Sequence, residues 1–378
     1  QMEHYTRFEV SLRIRNIQRS TDTIQRILIS MNQQMVKHGV KVHVIMTKNA
    51  TNFITPTTFE VLSGNKCIVD TFDRGFTFEV EHISLAKKAD LILIAPATAN
   101  IIAKLSAGIA DDMLTTTVLA AKCPILVAPA MNTNMYEHIT VRNNLEKLSS
   151  YGYEIIEAAS GRLACGDVGK GKLADIEVLF AHIVKNIAYE KDLAGKNVLV
   201  TAGPTIEKID PVRFISNHSS GKMGIELAKA AAYRGAKVRL ILGKTALKRP
   251  EFVDIVDVVS AQDMYEAVKE FASDSDIIIK SAAVADYRPY DVADEKMKKS
   301  DKELSIRLER TTDILKYLGE NKKDNQFLCG FSMETSNLIE NSKLKLEKKN
   351  LDMIVANNLK EEGAGFAKDT NKVSIITK

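Results

Sequence analysis

The sequence lacks any long apolar run, any strong excess of one charge and any close pair of cysteines. No stretch approaches the roughly 18 consecutive apolar residues that a membrane-spanning helix needs. The 52 basic and 48 acidic side chains leave a formal charge of +4, so nothing electrostatic favours nucleic-acid binding as the main task. The four cysteines lie far apart without CxxC spacing, which favours reduced thiols over disulfides or a zinc site.

The N-terminal region also lacks glycine and lysine. The first lysine is Lys37 and the first glycine is Gly39, whereas five arginines lie among the first 26 residues. The N-terminus has no apolar core followed by a cleavage site, so the sequence does not predict a secretory signal. The acidic residues Glu3, Glu9 and Asp22 argue against an organelle transit peptide. The default expectation is a cytoplasmic protein.

The 378 residues, 45% of them hydrophobic, suffice for two domains with hydrophobic cores. Short apolar runs alternate with helical patterns along the chain. The runs predict strands at 41–47, 90–96 and 123–130, and a second series at 196–203, 237–243, 276–283 and 351–358. Helical spacing predicts helices at 98–107, 111–122, 134–150, 223–234 and 261–272.

This alternation predicts an α/β protein with two three-layer domains, each built on a parallel sheet that helices cover on both faces. The polar stretch 188–196 separates the two series of strands. It predicts a boundary that divides the chain into domains 1–189 and 190–378. Functional residues are expected in loops at the carboxyl ends of the strands, where helix N-termini offer free N–H groups to anions.

Four polar or reactive side chains in the first half stand near such loops. Thr98 follows the strand at 90–96 and either caps a helix or contacts a ligand. Asn132 follows the strand at 123–130, and the same two alternatives apply to its amide group. Cys165 lies in a glycine-flanked polar loop, which favours a reactive thiol over a buried one. His82 precedes a helical pattern, where a capping or surface role is the ordinary interpretation.

In this order, the segments APATANIIAKLSAGIADDMLTTT, PAMN and SGRLACGDVGKG resemble the phosphopantothenoylcysteine decarboxylase family. The resemblance implies a flavodoxin-like fold, FMN as the cofactor and an oxidative decarboxylation of a cysteinyl group. It implies that His82 is the base near the thiol and the flavin, that Asn132 binds the substrate carboxylate, and that Cys165 on a closing flap donates a proton. It also implies cofactor contacts at Thr47, Ala95, Thr98 and Asn100.

In the second half, a Ser/Gly-rich turn within 210–224 opens a helix and suits a phosphate or an acyl-phosphate, although a generic capping loop is the ordinary alternative. It is not a Walker A loop, because Ser216 stands where glycine is required and Met223 where Ser or Thr should coordinate Mg²⁺. Lys296 lies in a run of lysines that, taken alone, is typical of a solvated face.

The segments TAGPT, DPVRFISNHSSGKMG, SAAVADYRP, KMKK, GFSMET and KLKLEKKNLDMIVAN together resemble the phosphopantothenate–cysteine ligase family over nearly all of 194–378. The resemblance implies a Rossmann-like domain that activates 4′-phosphopantothenate with CTP as an acyl-cytidylate, which L-cysteine then converts to the amide. It places Asn217 and Arg213 near the acyl-cytidylate and Lys296 at the charge that develops in nucleotidyl transfer. It implies a nucleotide pocket, with Mg²⁺ on the phosphates, lined by Ala283, Asp286, Phe331, Lys345 and Lys349.

Both resemblances on one chain are typical of the bifunctional bacterial enzymes of coenzyme A synthesis. They imply small-molecule substrates and a homo-oligomer, with trimer contacts in the first domain, dimer contacts in the second and a dodecamer as the combination.

Residues 1–38 depart from the decarboxylase pattern. A strand near 8–14 and a helix to about residue 38 would preserve the topology, but the glycine-containing turn that holds the FMN phosphate is absent. A turn at Ser20 and Thr21 could cap a helix, although without glycine the backbone approaches a phosphate less closely. The change in composition favours a foreign or altered N-terminal segment.

Three hypotheses follow from these observations. The first is a bifunctional enzyme. The second is an active ligase whose first domain is impaired in FMN binding and serves in oligomerisation. The third is a regulatory flavoprotein without catalysis, which is disfavoured because His82, Asn132 and Cys165 are all present and a ligase-like domain follows.

Overall fold

The computed structural model describes residues 7–12, 18–71, 81–162, 168–298, 305–334, 337–358 and 372–378. The chain divides into two compact units, Gln1–Tyr189 and Glu190–Lys378. Within the described ranges, no helix combines the length and the apolarity that crossing a bilayer requires.

The first unit alternates strands with helices, as the hydrophobic pattern predicts. Its elements are β1 (Arg7–Leu12), α1 (Gln18–Lys37), β2 (Lys41–Met46), a 3-10 turn (Ala50–Asn52), α2 (Pro56–Ser63), α3 (Glu81–Lys88), β3 (Leu91–Ala97), α4 (Ala99–Ala107), α5 (Met113–Ala120), β4 (Ile125–Pro129), α6 (Thr133–Glu137), α7 (Ile139–Ser150), β5 (Glu154–Ile155), β6 (Ala159–Arg162), β7 (Val168–Lys172) and α8 (Ile176–Ile187).

Five of these strands form one parallel sheet in the order β2-β1-β3-β4-β5. This is the strand order of the flavodoxin-like fold. All seven residues of β3 are buried, because hydrophobic clusters cover both faces of the sheet. One cluster includes Leu28, Phe59 and Leu179, and the other includes Ile101 and Leu148. Strand β1 pairs with both β2 and β3, so the topology survives the unusual N-terminal composition.

One predicted helix is divided in two. The apolar pattern of 134–150 predicted a single helix, but α6 ends at Glu137 and α7 begins at Ile139. Between them His138 has extended backbone angles (φ −60°, ψ 132°), and its Nδ1 accepts a hydrogen bond from the Thr140 N–H at 3.3 Å. The side chain therefore acts as a helix cap, which overrides the continuous pattern.

Glu154 on the edge strand β5 connects the sheet to α8. Its carboxylate accepts hydrogen bonds from Asn186 Nδ2 at 3.0 Å and Lys185 Nζ at 3.3 Å, and it also contacts the ring of His182. Partial burial opposes ionisation of the carboxyl group. The hydrogen bonds from His182 and Asn186 and the charge of Lys185 prevail, so the pKa of Glu154 falls from 4.5 to about 2.

Because this pKa is lowered by folding, the ionised Glu154 stabilises the first unit above about pH 4.5, and the stabilisation is lost as the pH falls toward 2. We expect Glu154→Gln to lower the free energy of unfolding at pH 7 and to differ less from wild type as the pH falls below 4.5. Urea unfolding between pH 7 and pH 3 measures this. Glu146→Gln, at an exposed position on α7, is the control. A deficit that is independent of pH would contradict the assignment.

The second unit contains a larger sheet. Its elements are β8 (Asn197–Ala202), β9 (Ile206–Lys208), β10 (Phe214–Ser216), α9 (Lys222–Tyr233), β11 (Lys237–Leu242), β12 (Val253–Asp257), α10 (Ala261–Ala272), β13 (Ile277–Lys280), β14 (Tyr287–Pro289), β15 (Leu308–Arg310), α11 (Ile314–Glu320), β16 (Phe327–Glu334), α12 (Leu338–Lys348), β17 (Met353–Asn358) and β18 (Val373–Thr377).

Seven of these strands pair in the order β12-β11-β8-β13-β16-β17-β18. All neighbours are parallel except β17 and β18, so an antiparallel edge strand modifies the predicted parallel sheet. The strand order reverses between β8 and β13, since β11 and β12 lie on one side and β16 and β17 on the other. In open α/β sheets, ligands bind at the carboxyl edge of such a switch point.

The chain leaves the sheet early at this switch point. The sequence predicted a strand at 276–283, but β13 ends at Lys280. The next backbone N–H groups cross to the neighbouring segment, where Ala282 donates to Thr201 Oγ1 at 3.2 Å and Ala283 to the Gly203 carbonyl at 3.0 Å. The loop 281–286 therefore lies along the carboxyl edge.

Candidate active sites at the carboxyl edges of the two sheets

The predicted cofactor residues of the first unit lie at one edge of its sheet. Thr47 directly follows β2, Ala95 lies within β3, and Thr98 caps α4 by accepting the Ile101 N–H at 3.5 Å. Asn100 is exposed in the first turn of α4, whereas Ala95 is fully buried in the core. Consecutive carboxyl ends of parallel strands thus bring these positions to the same side of the unit.

Two buried hydroxyl groups at this edge are unsatisfied. Thr47 Oγ1 and Thr133 Oγ1 are inaccessible to solvent and have no hydrogen-bond partner among the described residues. Buried polar atoms without partners are rare in folded proteins. Their position at the strand ends and at the start of α6 suits a polar ligand at this edge.

The two described catalytic candidates of the first unit, His82 and Asn132, also lie toward the carboxyl edge of the sheet. His82 is partly buried in the first turn of α3, whose N-terminus faces the carboxyl edge because crossover helices run antiparallel to the strands. Asn132 caps α6 through its Oδ1, which accepts the Asn134 N–H at 2.9 Å. Cys165 lies outside the described residues.

The hairpin of β6 and β7 flanks the segment that carries Cys165, and it is fastened to the Asn132 turn. The N–H of Met131 donates to the Gly171 carbonyl at 2.9 Å. Gly171 has φ +140°, and a Cβ at this position would lie 2.3 Å from the Met131 carbonyl oxygen. Only glycine therefore permits this approach of the hairpin to the turn.

The three described cysteines, Cys67, Cys123 and Cys329, are not in disulfides. Burial, with a contribution from Glu60, raises the pKa of the Cys67 thiol to about 12. Burial also raises the pKa of Cys329 to about 11. These thiols stay protonated at neutral pH, so neither is a nucleophile. Among the described residues, no cluster of three or more His, Cys, Asp and Glu side chains could hold a metal ion.

In the second unit, the Ser/Gly-rich loop is joined to the loop that follows β13. The exposed Asn217 donates through Nδ2 to the Ala283 carbonyl at 3.0 Å. The same carbonyl accepts the Thr205 N–H at 3.2 Å. The structure thus brings Asn217 and Ala283, predicted from separate motifs, into direct contact at the switch point.

The predicted nucleotide residues form a cationic group beside this contact. Lys345 Nζ donates to the Phe331 carbonyl at 3.1 Å, and Lys349 Nζ pairs with Asp313 at 2.6 Å. The exposed Asp286 and the paired Asp313 both act electrostatically on Lys280 at the end of β13, as do the two lysines. These residues come from β13, β16, α12 and the loops between them.

Arg213 and Lys296 belong to a second arrangement. The carboxylate of Asp210 is buried and accepts hydrogen bonds from the backbone N–H groups of Val212 (2.8 Å), Arg213 (2.7 Å) and Met297 (3.2 Å). The Arg213 guanidinium donates to the same carboxylate at 2.9 and 2.6 Å and to the Met297 carbonyl at 2.6 Å. Lys296, which precedes Met297, is exposed.

The environment of Asp210 keeps it ionised. Desolvation favours its neutral form, but the backbone hydrogen bonds and the Arg213 guanidinium outweigh that effect and hold the pKa of Asp210 far below its ordinary value of 3.8. A permanently charged carboxylate therefore connects the 210–213 turn to the backbone beside Lys296.

The sequence interpretation did not assign roles to Asp210, Lys280 or Asp313. Asp210 is the first residue of the segment DPVRFISNHSSGKMG, but only its hydrogen bonds distinguish it from a helix or turn cap. Lys280 ends an otherwise apolar run, IIIK. An ionisable residue at the carboxyl end of a buried strand is a sequence feature that could have pointed to a ligand site.

The fold and its edges define a two-unit α/β protein of the kind that binds nucleotides or flavins, with one flavodoxin-like and one Rossmann-like unit. A flavoprotein family model matches residues 20–188, and the model of the DNA/pantothenate metabolism flavoprotein C-terminal domain matches residues 193–378. The coenzyme A biosynthesis bifunctional protein CoaBC of Bacillus subtilis (strain 168) is 50% identical over 352 residues, which are 92% of this chain and 86% of that protein.

The protein of the same description from Haemophilus influenzae is 45% identical over 350 residues, 93% of this chain and 87% of that protein. A cysteine/cysteine sulfinic acid decarboxylase from an unknown prokaryotic organism is 48% identical over 330 residues, 86% of this chain and 92% of that protein. A crystal structure of the C-terminal domain of a CoaBC protein matches 49% of this chain and 83% of that chain, with 50% identity and a TM-score of 0.42.

The chain belongs to the family of bifunctional coenzyme A biosynthesis enzymes, which combine a decarboxylase and a ligase. The resemblance drawn from the sequence motifs is therefore confirmed. The flavoprotein match begins at residue 20, so residues 20–38 fall inside the family region, although the sequence predicted that the whole of 1–38 would be atypical.

Proposed function

We propose that the second unit joins 4′-phosphopantothenate to L-cysteine with CTP, and that the first unit decarboxylates the resulting phosphopantothenoylcysteine with FMN to 4′-phosphopantetheine. The supporting observation is the similarity to bifunctional coenzyme A biosynthesis proteins along about nine tenths of the chain, 92% for the Bacillus subtilis protein. The alternative, a ligase with an impaired first unit, lacks such support because the flavoprotein match includes most of α1.

The residues at the first edge fit FMN. Thr47 and Thr133 provide buried hydroxyl groups that lack partners, and Thr98 caps the helix that follows β3. With Ala95 and Asn100, they form the proposed binding residues. When bound, FMN supplies the acceptor for two electrons from the substrate's thiol-bearing carbon, which makes loss of CO₂ feasible.

The side chains of the first unit would handle the protons and the carboxylate. We assign the removal of the thiol proton to His82 and the return of a proton to Cys165. Since Asn132 Oδ1 accepts a backbone N–H, its amide nitrogen is the atom that would donate to the substrate carboxylate.

The second unit would act by positioning and by neutralising charge. The carboxylate of 4′-phosphopantothenate attacks the α-phosphorus of CTP, and the bond to the leaving pyrophosphate breaks. The cysteine amine then attacks the acyl carbon, CMP leaves and the amine loses a proton. We assign Asn217 to the acyl-cytidylate, Lys296 to the charge on the α-phosphate, and Lys345 and Lys349 to the triphosphate.

The remaining residues of this unit shape the site. Ala283, Asp286 and Phe331 would line the nucleotide pocket, and Mg²⁺ would bind the phosphates. Arg213 is occupied by Asp210 and the Met297 carbonyl. We therefore propose that it positions the backbone beside Lys296 rather than contacting the carboxylate of the substrate.

The decisive experiment supplies the purified chain with CTP, cysteine and 4′-phosphopantothenate and follows pyrophosphate and CO₂, together with the flavin absorbance. Pyrophosphate followed by CO₂, with stoichiometric FMN, is the expected result. Pyrophosphate without CO₂ would select the ligase with an impaired first unit. Because one relative is described as a cysteine decarboxylase, cysteine alone is the control substrate, and CO₂ from cysteine alone would contradict the proposed substrate.

A homo-oligomer is also part of the proposal. Large apolar side chains are exposed on the first unit, among them Leu119 (62%), Ile139 (66%) and Val168 (80%). Light scattering of the full chain is expected to give a mass that is a multiple of three protomers, and a monomer would contradict this.

A further inference from the structure

Lys280 occupies a central position in the second sheet. It is the last residue of β13 and lies between Thr201 of β8 and Gly330 of β16 in the strand register. The switch point of the sheet is therefore at this residue. Its Nζ donates to the Ala282 carbonyl at 3.1 Å, so the side chain follows the chain toward the carboxyl edge.

Two lysines and two aspartates act on the ammonium group of Lys280, and the lysines act more strongly. Lys345 of α12 and Lys349, which directly follows α12, both repel it, whereas Asp286 of the following loop and Asp313, which caps α11, attract it. Asp313 is itself paired with Lys349. Among the described residues, no carboxylate forms an ion pair with Lys280.

Desolvation and the repulsion by Lys345 and Lys349 lower the pKa of Lys280 from 10.5 to about 8. Asp313 and Asp286 offset only part of the repulsion that Lys345 and Lys349 exert on Lys280, so a bound polyanion would be favourable here. A triphosphate would supply such a polyanion, and it would favour the protonated form of each lysine.

We propose that Lys280 is a third lysine of the triphosphate site, acting with Lys345 and Lys349, and that nucleotide binding is coupled to its protonation. This proposal rests on the proposed ligase function, since it deepens the description of the same site. It adds a binding residue that no motif of the sequence indicated.

Isothermal titration of the full-length chain with MgCTP, at pH 7 to pH 9, tests the proposal. Lys280→Gln is expected to weaken binding about tenfold at pH 7, because a charge-assisted hydrogen bond is lost. Lys348→Gln removes the same charge from an exposed position on α12 and is expected to bind like wild type.

Proton linkage distinguishes this role from a purely structural one. A lysine with a pKa of about 8 is half-charged at pH 8, so wild type is expected to take up as much as about half a proton per nucleotide there. Titrations in two buffers of different ionisation enthalpy measure this uptake. Lys280→Arg stays charged at every pH used, so it is expected to bind without the uptake and without the loss of affinity above pH 8.

Wild-type affinity together with wild-type proton uptake in Lys280→Gln would overturn the inference and leave the ligase proposal intact. If the wild-type chain bound no MgCTP at all, the ligase proposal and the role of Lys280 would fall together. The two failures are therefore distinguishable in one series of titrations.

Discussion

Lys296→Gln is expected to lower the rate of pyrophosphate release by about 100-fold or more. Glutamine keeps most of the length of the side chain but removes the positive charge assigned to the α-phosphate. The loss would appear in kcat, because that charge acts mainly on the transition state. Affinity for MgCTP, which the proposal assigns to Lys345 and Lys349, is expected to change little.

Lys298→Gln is the matched control, since it removes an exposed lysine two residues further along the same segment. Pyrophosphate release should be assayed under saturating substrates, with MgCTP binding measured separately. Equal rates for Lys296→Gln and wild type would remove Lys296 from nucleotidyl transfer. Equal losses in both variants would instead indicate a general electrostatic effect of the lysine run.

Asp210→Asn is expected to reduce kcat for pyrophosphate release by about 100-fold while leaving the turn at 210–213 in place. The Oδ1 of asparagine can still accept the N–H groups of Val212 and Arg213. Its amide nitrogen, however, replaces the Oδ2 that accepts from the Arg213 guanidinium and from the Met297 N–H. The amide N–H groups of the asparagine then face the donors of Arg213 and Met297. The backbone beside Lys296 therefore loses the hydrogen bond that holds it in place.

Measuring the affinity for MgCTP separates a positioning effect from a loss of the folded state. The unfolding midpoint is expected to fall, because buried hydrogen bonds to Oδ2 are lost. Below that midpoint, the affinity for MgCTP should stay close to wild type if the effect on catalysis is confined to Lys296. Asp254→Asn, which removes an exposed ion pair with Arg239, is the control and should retain full activity. The double variant Asp210→Asn/Lys296→Gln should have about the same kcat for pyrophosphate release as Lys296→Gln alone. Additive losses of kcat would contradict the coupling between the two residues.

The sequence alone determined much of the architecture. The short apolar run LILIAPA became β3, which is buried along its whole length, because a strand covered on both faces must be apolar throughout. The runs at 41–47, 196–203 and 237–243 likewise formed β2, β8 and β11 within a residue at each end. Short strands such as β9 and β10 were not predicted, since their pairing depends on contacts between separate segments.

The motifs also predicted positions at the carboxyl edges, because parallel strands separated by helices place successive strand ends together. What no local pattern could show is the hydrogen bonding between segments distant in the chain. The contact of Asn217 with Ala283 joins residues 66 apart, and that of Asp210 with Met297 joins residues 87 apart.

The chain's composition, its apolar spacing and its motifs thus determined the α/β class and the family. The tertiary structure decided which charges meet. Lys280 is an ordinary strand residue in the sequence, but the reversal of strand order beside β13 brings it to Lys345 and Lys349. Electrostatic interactions depend on distance and on burial rather than on separation along the chain, so only the folded sheet reveals this cationic site.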